Sequence, residues 1–150
     1  MAETFILEKA GSIKPYYLAT TEFFDDEIQD RVLIHQQRRQ DCFITLEEPV
    51  KLLEALENSR RPVLIECVSM WLNNLLFHQI PEADILQELE TVLRLPSTMV
   101  FVHNEVGSGI IPDNPLARRF VDLSGKAAQL LAQHCDEVFF CSAGLMMRMK

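Results

Sequence analysis

The sequence predicts an α/β domain built on a mainly parallel sheet with helices on both faces. Short apolar runs of strand length recur along it: "PYYLATT" at 15–21, "CFITLE" at 42–47, "RPVLIEC" at 61–67, "TMVFVH" at 98–103 and "DEVFFCS" at 136–142. Helical patterns lie between them, so the connections are long enough to cross over and join parallel neighbours. In such sheets ligands bind outside the carboxyl ends of the strands. A chain of 150 residues fits a single domain over 1–150.

Each element follows from its own residues. "AETFILEKAG" is a short helix closed by Gly11. "PYYLATT" is a strand opened by a proline. "FDDEIQDRVLIHQQRRQ" at 24–40 is helical, with acids early and bases late, as the helix dipole prefers. "PVKLLEALENSR" is amphipathic, with Val50, Leu53 and Leu56 spaced by three. "VSMWLNNLLFHQI" and "ADILQELETVLRL" are helices. The first is apolar on so many sides that Trp71, Leu72, Leu75, Leu76 and Phe77 read as core or subunit interface. "NPLARRFVDLSGKAAQLLAQHC" is a long helix with Asn114 at the N-cap and Pro115 in the first turn. "DEVFFCS" reads as a last strand.

Composition narrows the function classes. A net charge of -8 argues against a general grip on nucleic acid, which needs a basic face. No apolar run approaches the ~20 residues of a membrane span, and "MAETFILEKAG" has no secretory pattern, so a cytoplasmic protein is expected. Cys42, Cys67, Cys135 and Cys141 form no CxxC pair and no metal spacing with His35, His78, His103 or His134; reduced thiols are the plain reading.

The phosphate-loop pattern G-x-x-x-x-G-K-[ST] is absent from these 150 residues. "SGKA" at 124–127 lacks the upstream glycine and lies in a helix. "NEVGSGIIPDNP", from Asn104, lacks the lysine and reads as an ordinary turn more readily than as a ligand loop. In "RVLIHQQRR", Arg31, His35 and Arg39 stand at i, i+4 and i+8 on one helix face, with Arg38 beside them. Nearby guanidiniums keep an imidazole neutral, able to attack phosphorus while arginine forks hold oxygens. A solvated basic helix end explains the same residues more simply. Glu66, at the end of a buried strand, suits a magnesium-organising acid. Thr20 and Thr21 stand where a ribose or phosphate could be bonded, or a turn capped. Glu47 could accept the N–H edge of guanine.

Together, "YYLATTEFFDDEIQDRVLIHQQRR", "ITLEE", "LIECVSMWLNNLLF", "NEVGSGIIPDNPLARRFVDLSG" and "DEVFFCSAGL" resemble the bifunctional adenosylcobinamide kinase / adenosylcobinamide-phosphate guanylyltransferases over nearly the whole chain. The resemblance implies a P-loop-NTPase-like fold and a trimer. It implies a step of adenosylcobalamin biosynthesis in which adenosylcobinamide is phosphorylated. GMP then passes from GTP (ATP or GTP serving the kinase step) to adenosylcobinamide phosphate through a guanylylated histidine, with Mg2+. That histidine corresponds to His35. Ala19, Thr20, Thr21, Gln36, Gln37, Arg38, Arg39, Glu47 and Glu66 correspond to nucleotide-binding positions, and no residue corresponds to a metal ligand.

The departures set further expectations. The family opens with a strand and a P-loop, whereas here Met1 leads directly into the helix that follows them, which is expected to leave two sheet neighbours unpaired. Val121 stands where the family usually has Arg, and Ala128 where it has Asn. The alternative to an active enzyme is a non-catalytic homologue that binds nucleotide or cobinamide, or associates with an intact subunit.

Overall fold

The computed structural model describes residues 1–22 and 41–150. The expected helix over 24–40, with Arg31, His35, Gln36, Gln37, Arg38 and Arg39, lies outside the described residues. The described elements are α1 (Ala2–Ala10), β1 (Tyr16–Ala19), β2 (Ile44–Glu47), α2 (Leu52–Leu56), β3 (Val63–Glu66), α3 (Val68–Phe77), α4 (Glu82–Leu93), β4 (Met99–Val102), α5 (Pro115–His134), β5 (Phe139–Ser142) and β6 (Leu145–Arg148).

Four strands form one sheet in the order β2-β1-β3-β4, and every pairing is parallel. The register sets Ala19 beside both Glu47 and Glu66, and Glu66 beside Val102. Alternation along each strand then divides the side chains between two faces. On one face Ile6 of α1 packs with Tyr17, Phe43 and Leu64. On the other, Leu18, Val63 and Ile65 meet α2, α3, α4 and α5 through Leu52, Trp71, Leu89 and Leu123. β3 reads Val-Leu-Ile because it is buried on both sides. Helices on both faces of a parallel sheet thus agree with the sequence.

Two elements differ from expectation. The helix after β2 begins only at Leu52, because the Glu48 carboxylate takes the backbone N–H groups of Val50 (2.9 Å) and Lys51 (2.8 Å) and holds 48–51 as a turn. Its buried residues are Leu52 and Leu56, not Val50 and Leu53. The last strand does not extend the parallel sheet: β5 pairs antiparallel with β6. Ala143 (φ 50°) and Gly144 (φ 78°) make the two-residue turn between them, both with the positive φ such a hairpin needs. Among the described residues the sheets therefore end at β4 on one side and begin again at β5. Phe5 of α1, already packed over β3 and β4, reaches β5 through Phe139, ring to ring at 5.7 Å, and Lys9 bonds Glu137 at 2.9 Å.

The long helix carries both predicted signals at its start. The Asn114 side chain accepts from the N–H groups of Leu116 (2.8 Å) and Ala117 (3.4 Å), and Pro115 follows. At its end, the Lys150 ammonium bonds the carbonyls of Ala132 and Cys135, where cations are favoured. "SGKA" lies within this helix, as expected.

Candidate functional site

Ala19, Glu47 and Glu66 end three adjacent parallel strands in matching register, so their side chains project to the same face of the sheet. With ~4.8 Å between strands, the two acidic residues stand about 10 Å apart across β1. Glu47 is exposed and Glu66 half-buried. The sequence thus brings together, at the carboxyl end of the sheet, three residues far apart in the chain. Thr21 follows directly, half-buried, and from there the chain leaves toward 24–40.

Thr20 is placed differently. It is fully buried, and its hydroxyl is tied to Cys67: Oγ1 donates to the Cys67 carbonyl at 2.7 Å and accepts from the Cys67 N–H at 2.8 Å. With the Thr20 N–H on the Glu66 carbonyl (3.2 Å), the hydroxyl locks the end of β1 to the start of α3. Thr20→Val keeps the shape but strands the Cys67 N–H and leaves the Cys67 carbonyl with the Trp71 N–H as its one donor. We expect a loss of about 1–3 kcal/mol in unfolding free energy, with Thr20→Ser near wild type, both read from chemical denaturation.

Two side chains of α3 brace this end of the sheet: Asn74, which the sequence pattern did not single out, and Trp71, which it read as core or interface. Asn74 is buried in α3, and its Nδ2 donates to the carbonyls of Thr20 (2.7 Å) and Pro49 (2.9 Å). Trp71, one turn earlier, donates its indole N–H to the Val50 carbonyl at 2.7 Å. One face of α3 therefore holds the backbone beyond β1 and β2, the two strands that carry Ala19 and Glu47. The signal was an amide inside "VSMWLNNLLF": a polar residue in an otherwise apolar helix needs a partner.

The Cys67 Sγ caps α3 by accepting from Met70 N–H at 3.4 Å. Burial pushes its thiol pKa up, so it is no thiolate nucleophile at neutral pH. All four cysteines are free thiols. Among the described residues, no helix is long and apolar enough to cross a membrane.

The loop beginning at Asn104 is a turn closed on itself. The Glu105 carboxylate takes the Gly107 N–H at 2.6 Å, which removes that amide from any phosphate-binding role. A side chain at Gly107 would meet the same carboxylate oxygen at 2.9 Å. Ile110 and Ile111 then project outward, 97% and 79% exposed. Arg118 folds back to bond the carbonyls of Pro112 and Asp113, each at 2.8 Å.

The chain thus forms a parallel sheet with two acids aligned beyond its carboxyl ends, the end at which sheets of this kind bind ligands. The chain belongs to the cobinamide kinase / cobinamide phosphate guanyltransferase family, whose model matches residues 1–149. It is 38% identical over 140 residues to the bifunctional adenosylcobalamin biosynthesis protein CobP of Pseudomonas aeruginosa, covering 89% of this chain and 81% of that protein. It is 34% identical over 153 residues to the bifunctional adenosylcobalamin biosynthesis protein CobU of Escherichia coli, and 31% over 156 residues to that of Salmonella typhimurium. Each of these covers 89% of this chain and 84% of the relative.

Proposed function

We propose that this protein acts in adenosylcobalamin biosynthesis as a guanylyltransferase and kinase of adenosylcobinamide, with His35 as nucleophile. Family membership supports the reaction class. The observation that carries the site is the alignment of Ala19, Glu47 and Glu66 at one end of three neighbouring strands. The segment bearing His35, Gln36, Gln37, Arg38 and Arg39 departs from that same end after Thr21.

In the first half-reaction a ring nitrogen of His35 attacks the α-phosphorus of GTP. A P–N bond forms, the P–O bond to the β-phosphate breaks, and pyrophosphate leaves with its electron pair. In the second, a phosphate oxygen of adenosylcobinamide phosphate attacks the same phosphorus and the P–N bond breaks. A phosphoanhydride to the corrinoid results, and the imidazole is regenerated. Arg38 and Arg39 suit the phosphate oxygens. Glu47 suits the guanine edge, which offers two N–H donors.

The carboxylates present fit magnesium in a limited way. One hard oxygen donor from Glu66, completed by substrate phosphates, is a usual arrangement for this ion. With about 10 Å between their strands, Glu47 and Glu66 suit separate tasks better than a shared ion. When bound, the ion neutralises triphosphate charge.

The test is incubation of the purified chain with GTP labelled at the α-phosphate. Wild type is expected to take up acid-labile label, and His35→Ala to lose it by at least about a hundredfold, the scale of a lost covalent nucleophile. Label persisting in His35→Ala would sink the nucleophile assignment. The second reading is a homologue that binds nucleotide without turning it over. Its sign is calorimetric GTP binding with no covalent label.

A further inference from the structure

His103 ends the apolar run of β4 and is held at both ring nitrogens. Its Nδ1 lies 3.2 Å from Ser69 Oγ of α3, and its Nε2 3.0 Å from Ser124 Oγ of α5. Ser69 and Ser124 are 5% and 2% exposed. Ser69 Oγ also accepts the Asn104 N–H at 2.7 Å. Three elements and the first residue of the loop therefore meet at one imidazole.

The imidazole bridges the two hydroxyls. In either neutral tautomer one ring nitrogen carries the proton and donates while the other accepts, so Ser69 and Ser124 are both engaged, and protonation of the ring removes the acceptor.

We propose that His103 is a positioning residue: through Ser69 and Ser124 it fixes the Asn104–Gly107 turn beside the end of β3, where Glu66 stands. The link from this turn to transfer onto the corrinoid substrate rests on the functional reading above. Burial holds the imidazole below its ordinary value near 6.5, against the opposing pull of the Ser124 backbone and of the Glu105 carboxylate. Ser69 and Ser124 face the ring from α3 and α5. Glu105 is the charged group that acts on it; the titratable groups nearest in the chain on the adjoining elements are Cys67 and Glu66 beside Ser69, and Asp122 and Lys126 beside Ser124. A folded-state value below the unfolded one means that the clamp is intact above about pH 6.5 and is lost as pH falls through the folded value.

Two measurements on the full chain without ligand decide the positioning role. Nitrogen-detected NMR of the imidazole is expected to show a neutral ring with a midpoint below 6.5. Hydrogen exchange at Asn104 is expected to quicken about tenfold in Ser69→Ala, with Ile65 in β3 unchanged. An imidazole protonated at pH 7, or Asn104 exchange unmoved by Ser69→Ala, would overturn the proposal. Functionally, Ser69→Ala is expected to slow GMP transfer from labelled protein to adenosylcobinamide phosphate several-fold, while His35 labelling stays within about twofold of wild type. Faster exchange with undiminished transfer would overturn the tie to the reaction. A wild-type chain that takes no label refutes the functional reading, and the NMR arm still decides the role of His103.

Discussion

Trp71→Ala is expected to lower the unfolding free energy by about 4 kcal/mol, within the ~3–5 kcal/mol of large aromatic deletions from cores. Trp71 is fully buried and is the largest such side chain among the described residues. It packs in the same cluster as Leu18 of β1, Leu52 of α2, Ile85 of α4 and Leu123 of α5, so its removal opens a cavity within that cluster. The surrounding helices are tied to short parallel strands by register and cannot collapse freely into the space. The lost indole bond also leaves the Val50 carbonyl without its donor. Urea denaturation measures the loss, and Trp71→Phe separates its parts. That variant keeps much of the volume but not the bond, and about 1–3 kcal/mol is expected. If Trp71→Ala costs under about 1 kcal/mol, the core assignment fails. A domain of this size holds roughly 5–15 kcal/mol in all, so the alanine variant would be partly unfolded under mild stress.

The core was legible because its pattern is redundant. "VLIE" has strand length and apolar continuity, and "VSMWLNNLLF" has helical length with apolar residues on so many sides that Trp71 reads as core or interface. The crossover argument then gave parallel pairing between β1, β2, β3 and β4. The hairpin at the end was not legible, because "FFCSAGLMMR" lacks the asparagine or aspartate that usually marks a two-residue turn. β6 is exposed throughout, so no alternation of polar and apolar residues announced it.

The site was legible in part. Parallel register turns sequence position into lateral alignment, so residues at the ends of neighbouring strands meet; Ala19, Glu47 and Glu66 did. Spacing cannot show which polar side chain the fold consumes. Thr20 and Thr21 look alike in "YYLATT", yet the Thr20 hydroxyl is buried against Cys67 while Thr21 is half-exposed. The sequence marked His103 only as part of the polar "HNE" that ends an apolar strand. It gains meaning only when α3 and α5 bring Ser69 and Ser124 to its two nitrogens, from residues 34 and 21 positions away.

Asn74→Asp is the sharper probe of the brace beneath the candidate site, because it exchanges an amide for a carboxylate and changes almost no volume. The native amide must aim Nδ2 at the carbonyls of Thr20 and Pro49, since its oxygen would face two acceptors there. A carboxylate in that position has no donor to give and brings a charge against two carbonyl oxygens in a buried site. We expect a loss of about 3–5 kcal/mol at pH 7, the cost of an uncompensated buried charge. Asn74→Leu should cost less, about 2 kcal/mol. It also orphans two carbonyls, but removes the native Oδ1, which is buried with no hydrogen-bond partner among the described residues. The two variants should also separate with pH. Burial raises the folded-state value of the introduced carboxyl above its unfolded value near 3.9. Its penalty is therefore full above the folded value and shrinks as pH falls through it, when the protonated acid regains one donor. Asn74→Leu has no such group. Parallel denaturation curves for the two variants across pH 4 to 7 would contradict the assignment. Curves that converge toward acid, with Glu47 side-chain signals shifted at pH 7 in both variants, would show that this buried amide holds the ends of β1 and β2 in place.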